Sequence, residues 1–462
     1  VRERVDDRTF PRVFGRISFF VNAGIKFVEE HAKLRAMSAL WEEIGRERYG
    51  VTDEKMLRFR YGVQVNSLGL TESQPETNVQ RIVLEALAVT LGRSARARAV
   101  QLPAWNEALG LPRPWDQQWS LRIQQVLAFE SDLLEYEDLF TGSVVVEAKV
   151  AELVAAALEQ MAEIERVGGV VAAVESGYLK SALVASHAAR RARIESGAEI
   201  VVGVNRFTET EPNPLLADAD AAVQVADPKA EAAAIASLTA WRAQRDPDAV
   251  AEALDALRAA AKTDVNLMDP TLDCVRVGVT TGEWSGALRE VFGEYRAPTG
   301  VGGVVGSADA GNLARARAAV EATSTALGRR LRLLVGKPGL DGHSNGAEQI
   351  AVRARDVGFE VVYQGIRLTP EQIVAAAVEE DVHCVGLSIL SGSHMELIPE
   401  ILRGLKEAGA ADVPVVVGGI IPDSDAASLR AQGVAEVFTP KNYALTEIME
   451  RIVEVIRAAN GL

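Results

Sequence analysis

The stretch Leu331-Arg332-Leu333-Leu334-Val335-Gly336-Lys337-Pro338-Gly339-Leu340-Asp341-Gly342-His343-Ser344-Asn345-Gly346 decides how the chain is read. Its apolar run at 331–335 predicts a strand, and Asp341 to Gly346 then places a histidine between that strand's carboxyl end and a helix. Open α/β sheets take their ligands at such ends. Asp341 can accept from one nitrogen of the His343 ring, which fixes the tautomer and frees the other nitrogen for a metal. Lys337 lies at the same strand end and can hydrogen-bond Asp341, giving a Lys–Asp–His relay. Taken singly these residues have simpler readings: Asp-Gly-His is a common turn, Lys337 a solvated loop lysine, and Asn345 with Glu348 a box for the next helix.

Four more strands are predicted downstream, at 359–363, 382–387, 413–417 and 435–438, with helices between them. Five strands in this alternation fit a flavodoxin-like doubly wound sheet over residues 326–462. Ser388-Ile389-Leu390 and Gly418-Gly419 fall at the ends of two of them. Gly418 and Gly419 allow close backbone approach, and Ser388 offers a hydroxyl to a buried ring nitrogen.

The chain has 462 residues, room for two or three domains, and its 48% hydrophobic, 5% aromatic composition suits an α/β protein. A net charge of −15 argues against bulk nucleic-acid binding, so an anionic ligand needs a local basic cluster. No apolar run reaches the roughly 20 residues of a membrane span and no signal peptide is visible. With only Cys274 and Cys384 a disulfide framework is not expected. A cytoplasmic protein is the expectation.

Residues 1–135 alternate strand and helix: strand-like segments at Gly15 to Phe20, Phe59 to Val65 and Ala97 to Leu102, with helical spacing after Phe27, from Pro75 to Leu91 and from Trp115 to Phe129. Three β/α units are the grammar of a parallel barrel or sheet. Arg16, Ser18, Lys55, Arg58, Arg60, Gln64, Gln101 and Glu107 are the polar residues on or beside these strands, at strand ends where barrels keep their active groups. From spacing alone Lys55 and Arg58 read equally as surface charges. Residues 136–325 form an Ala/Glu-rich helical connector, with a linker at Pro298 to Gly311. His31 and His187 are expected to be solvated on helices. His394 is expected either at a helix start or near a bound ligand.

The three strand ends bearing His343, Ser388 and Gly418-Gly419 together resemble the cobalamin-binding module of adenosylcobalamin-dependent mutases. The resemblance extends upstream: Arg16-Ile17-Ser18-Phe19-Phe20, Lys33-Leu34-Arg35-Ala36, Asn106-Glu107-Ala108, Val167-Gly168-Gly169 and Gly203-Val204-Asn205 are similar to blocks of the methylmalonyl-CoA mutase family. Gln64 to Thr71 and Lys337-Pro338-Gly339-Leu340 look more like its ethylmalonyl-CoA mutase branch.

The resemblance implies a partial TIM-type (β/α) substrate barrel at 1–135, the helical connector, and a cobalamin domain binding adenosylcobalamin through cobalt. By position, Arg16, Ser18, Lys55 and Arg60 match coenzyme A contacts, and Gln64 and Glu107 match residues facing the deoxyadenosyl group. Gly342, His343, Gly346, Ile350, Ser388, Leu390, Gly418, Gly419, Phe438 and Thr439 match cobalamin contacts, with His343 as lower cobalt ligand and Lys337 and Asp341 tuning it. Pro103 stands where the methylmalonyl pattern has Asn. The implied reaction is radical carbon-skeleton isomerisation of an acyl-CoA, ethylmalonyl-CoA to methylsuccinyl-CoA, or alternatively methylmalonyl-CoA to succinyl-CoA. A corrinoid carrier and a non-catalytic binding subunit are the readings from other classes. The resemblance also implies a homodimer and a GTPase chaperone. A barrel needs eight strands and three are predicted here, so the chain is expected to be an incomplete version of a longer enzyme that binds cobalamin better than it catalyses.

Overall fold

The structure is a computed structural model describing residues 2–211, 213, 228–295, 298–300, 310–390, 392–439, 442 and 444–462. It forms two compact units, Val1–Gln224 together with Pro298–Leu462, and Val225–Ala297.

In the larger unit the first three strands are β1 (Phe19–Ala23), β2 (Tyr61–Val65) and β3 (Ala99–Gln101), paired in parallel in the order β1-β2-β3. Side chains alternate between faces. Ala23, Tyr61 and Val63 point to the face that packs with Leu34 and Val89 of the helices Phe27–Glu43 and Asn78–Thr90. The opposite face carries Phe20, Gly62 and Ala99 in one row and Asn22, Gln64 and Gln101 in the next. β1 begins later than the expected Gly15 to Phe20. Phe10–Phe14 is a helix, and the Gly15 and Arg16 amides bond back to Pro11 and Val13 rather than to a neighbouring strand.

The helix Val144–Arg166 lies along the helix Phe27–Glu43, with Arg35 bound to Glu147 at 2.7 Å. Phe140 and the Ala88 carbonyl cover His31. His31 is buried rather than solvated, with Nδ1 3.3 Å from the Ala88 carbonyl, and burial holds its pKa down. The linker expected at Pro298 to Gly311 falls largely outside the described residues. The helix Ala310–Leu327 that follows contributes Leu313, Ala316 and Val320 to the core of the last sheet.

That sheet contains β4 (Arg332–Gly336), β5 (Glu360–Tyr363), β6 (Cys384–Ile389), β7 (Val415–Gly419) and β8 (Glu436–Phe438), all parallel, in the order β5-β4-β6-β7-β8. This is the flavodoxin-like order, and the order in which strands are added reverses between β4 and β6. Both faces are covered, which is why its strands are continuous apolar runs. One face packs on the helices Asn345–Asp356 and Leu445–Ala459, the other on Pro370–Glu379 and His394–Glu407. His383 is buried beneath it, its Nδ1 accepting from the Arg332 amide at 3.0 Å. His394 opens its helix and meets Asp425 at 2.8 Å, so of its two expected places the helix start is the one seen.

The smaller unit is helical: Pro228–Gln244, Pro247–Ala261, Met268–Arg276 and Thr281–Phe292. Leu257, Cys274 and Ala287 form its core. Glu283 caps the last helix through Thr280 and binds Arg245 at 2.6 Å, and this arginine contact drives its pKa down to about 2.

Glu85, on the helix Asn78–Thr90, is buried with no hydrogen-bond partner for Oε2. Burial and then the Glu30 charge push its pKa from 4.5 up to about 8, against the pull of Arg81. The folded state therefore binds this proton more tightly than the unfolded chain, and stability falls as pH rises from about 4.5 to about 8. Glu85→Gln should raise the urea midpoint at pH 8 while changing it little at pH 4, measured by circular dichroism.

Candidate functional site

The site is built on the end of β4. Pro338 bridges to Leu368, and the Gly339 amide donates to the Leu368 carbonyl at 3.0 Å, so the loop starts as an extension of the sheet. Gly339 has φ +82°, which favours glycine, and a Cβ there would lie 2.9 Å from Leu397 Cδ1 and force that side chain to move. The chain then turns back. Lys337 Nζ, fully buried, donates to Asp341 Oδ2 at 2.6 Å.

Asp341 Oδ1 accepts from the His343 amide at 3.0 Å and lies 2.6 Å from His343 Nδ1. Burial would raise the Asp341 pKa, but the Lys337 contact, the His343 amide and the His343 ring together bring it down to about 2. An ionised Asp341 can only accept, so a neutral imidazole carries its proton on Nδ1 and its lone pair on Nε2. The side chain of Asp341 is 5% exposed while that of His343 is 78% exposed, so a buried ion pair presents an open imidazole. The Lys–Asp–His relay expected from the sequence is thus formed. Among the described residues no group of three or more His, Cys, Asp or Glu could hold a metal.

Beside the loop, at the switch between β4 and β6, lies a cavity of about 280 Å³. Its floor is two in-register rows on one face of the sheet: Val335, Gly386 and Val416, then Ser388, Gly418 and Phe438. Gly346 and Ile350 wall it from the helix Asn345–Asp356, and Leu390, Gly419 and Thr439 close the strand ends. Eight of the expected cofactor contacts therefore line one cavity. Gly342 and His343 lie outside it, on the loop. A Cβ on Gly346 would sit 3.7 Å from Ser388 Oγ, so that hydroxyl lies against the first turn of the helix, at the edge of the cavity. Gly386, Asn442, Leu445 and Arg191 also line it and were not singled out from the sequence. Gly386 was the readable one, being two residues before Ser388 and therefore on the same face.

The two terminal glycines differ. A Cβ on Gly419 would meet the Ile389 carbonyl oxygen at 1.8 Å, whereas one on Gly418 would find nothing nearer than 3.9 Å. Gly419 is needed by the protein's own packing, and Gly418 leaves room for something else. These residues fit a flat ring system with a long tail: an imidazole with a free Nε2, and next to it a slot kept open by glycines.

The other expected residues divide by strand polarity. Gln64 joins Asn22, Lys33 and Met37 around a second cavity on the exposed face of the first sheet. Glu107, past the end of β3, has its pKa raised by burial, against the Ala104 backbone, the Ser67 hydroxyl and the charge of His343, so it lies within electrostatic reach of the loop. Arg16, Ser18, Lys55 and Arg60, expected on or beside the strand ends, lie at or before the amino ends of β1 and β2. Arg60 donates to the Lys55 carbonyl at 2.9 Å, and its pKa is lowered by burial and by Arg98, Arg58 and Arg16. Arg98 was missed. It precedes β3, and its amide donates to the Tyr61 carbonyl at 2.9 Å, which sets it opposite Tyr61, the neighbour of Arg60, whose pKa its charge helps to lower.

Replacing Gly419 by Ala should destabilise the protein by about 1–3 kcal/mol through the carbonyl clash. Gly418→Val should leave thermal stability nearly unchanged while abolishing uptake of cobalamin, read by absorbance after gel filtration.

Residues 8–294 match the family described as methylmalonyl-CoA mutase, and residues 331–449 match the B12 binding domain. The chain is 59% identical over 99% of its length to an ethylmalonyl-CoA mutase of Cereibacter sphaeroides, covering 69% of that protein. It is 56% identical over 98% of its length to one of Methylorubrum extorquens, covering 66%. To the methylmalonyl-CoA mutase of Escherichia coli it is 36% identical over 94% of its length, covering 61%. The chain thus spans about two thirds of the length of the two ethylmalonyl-CoA mutases. The His343 loop and the glycine-floored slot fall within the residues that match the B12 binding domain, and with these matches the chain belongs to the methylmalonyl-CoA mutase family.

Proposed function

We propose that the chain acts in an adenosylcobalamin-dependent acyl-CoA mutase that converts ethylmalonyl-CoA to methylsuccinyl-CoA. The observation that carries this is the Lys337–Asp341–His343 relay beside the glycine-floored cavity. The choice of substrate is favoured by identities of 59% and 56% to ethylmalonyl-CoA mutases, against 36% to a methylmalonyl-CoA mutase.

When bound, the adenosylated cofactor supplies reversible cobalt–carbon homolysis, which starts the radical rearrangement. The chain's own residues do the rest. Lys337 keeps Asp341 ionised, and Asp341 keeps the proton of His343 on Nδ1, so that Nε2 would be free to bind cobalt. Ser388, Gly418 and Phe438 receive the nucleotide tail, with Gly346 and Ile350 against its other side. Gln64 and Glu107, toward the carboxyl end of the first sheet, would meet the deoxyadenosyl group. Arg16, Arg60 and Lys55, joined by Arg98, bind the coenzyme A phosphates at the amino end, since guanidinium groups make charge-assisted bonds to phosphate. A homodimer, a GTPase chaperone and a place in the cytoplasm belong to the same reading. Among the described residues no helix is long and apolar enough to cross a membrane.

Incubation with adenosylcobalamin and ethylmalonyl-CoA should yield methylsuccinyl-CoA by mass spectrometry, faster than methylmalonyl-CoA yields succinyl-CoA. Absence of either product from loaded, folded protein would count against the reading. His343→Ala should remove the imidazole nitrogen splitting from the electron paramagnetic resonance spectrum of bound cob(II)alamin. Arg60→Gln or Arg98→Gln should each raise the Kd for acyl-CoA about tenfold, the loss of one charge-assisted hydrogen bond, with cobalamin affinity unchanged. An equal loss for both ligands would make these arginines structural.

A further inference from the structure

We infer that the connector helix Tyr178–Glu195 sets the position of the His343 loop, with Lys180 as the positioning residue. The inference rests on the reading of His343 as the cobalt ligand.

One face of this helix, spaced three or four residues apart, meets the cobalamin domain: Lys180, Val184, His187, Arg191 and Glu195. Val184 is fully buried and packs in the same core as Ala347 and Ala351 of the helix Asn345–Asp356. Around that apolar contact the polar residues converge on the segment just after the ligand. Lys180 Nζ donates to Ser344 Oγ at 3.0 Å and pairs with Glu348 Oε1 at 2.6 Å. The His187 ring bonds the Asn345 side chain, and Arg353 binds Glu195 at 2.8 Å.

The residues 343, 344 and 345 are thus held one by one, by Asp341, Lys180 and His187. Two of these three holds come from a helix more than 150 positions earlier in the chain. The box expected between Asn345 and Glu348 is not the arrangement seen. Ser344 is the N-cap and makes no side-chain cap bond. These three side chains face the connector instead, and Glu348, 3% exposed, has Lys180 as its cation.

The consequence is one of preorganisation. The loop before His343 contains Gly339 and Gly342, and the imidazole itself is mostly in solvent, so its position depends on what anchors the chain on either side. Asp341 anchors it from before, through Lys337. Lys180 anchors it from after. If that second anchor is lost the competent loop becomes a fraction of the population, and apparent affinity falls by that fraction.

The test uses the full chain, cobalamin titrated by absorbance, and the nitrogen splitting of bound cob(II)alamin. Lys180→Met should weaken cobalamin binding about tenfold, the usual effect of removing a group that orients a metal ligand, and should leave part of the cobalt without histidine nitrogen. Lys180→Met/Glu348→Met removes the stranded carboxylate, so it should recover thermal stability while histidine coordination stays partial. Ser344→Ala, which keeps the ion pair, should shift the spectrum the same way by a smaller amount, and it decides the matter if the lysine variants do not fold. Wild-type protein without nitrogen splitting would overturn the ligand reading itself. Wild-type splitting with unchanged affinity and spectra in the variants would overturn the role of Lys180 alone.

Discussion

The buried pair of Lys337 and Asp341 is the constraint on which the site depends. A lysine ammonium removed from water must be paired, and a carboxylate beside it must have its remaining lone pairs used. Asp341 satisfies both demands by turning one oxygen to Lys337 and the other to the amide and ring of His343. The loop has few other ways to close, because the Lys337 carbonyl and the Gly339 amide are already committed to Leu368. A polar requirement inside the fold therefore fixes an imidazole outside it.

The sheet order turns this local arrangement into a binding site. β4 and β6 are neighbours, and their onward connections leave on opposite sides, so a crevice opens above their carboxyl ends. Two rows of the sheet carry Gly386 and Gly418 where larger residues would fill the space under the helix Asn345–Asp356. Packing is relieved on one face only. The opposite face, with Leu334, Val385 and Val417, is a continuous core. The cavity is thus an omission in the packing at the place where the His343 loop ends.

Much of this was legible in the sequence. Strands buried on both faces are plain apolar runs, and their residue types located all five in the last domain to within two or three positions. Asp341, His343, Ser388 and the glycine pair were legible because small or polar residues interrupt those runs at their ends. The misreadings share a cause. Composition marks His31 as a surface residue, but its cover is supplied by Ala88 and Phe140, far away in the chain. The bonds of Lys180 and His187 span 164 and 158 positions, and nothing local in the sequence foretells them. The basic residues are legible as a group, but the end of the strands they occupy is not, because β1 starts only after the turn that follows Phe14.

That polarity has a mechanical meaning. Arg16, Arg60 and Arg98 lie at the amino ends of three parallel strands, while Gln64 and Glu107 lie toward the carboxyl ends, with Glu107 in reach of the charge of His343. A five-residue strand is roughly 17 Å long at about 3.3 Å per residue. A ligand anchored by its phosphates at one end would have to be extended to bring a reacting group to the other. An acyl-CoA has that shape, with anionic phosphates separated from the thioester by a thin, flexible arm. Because this anchoring is far from the reacting atoms, it can hold the ligand in place without distinguishing one acyl group from another. For a ligand so held, discrimination by a methylene would fall to whichever side chains meet the acyl group.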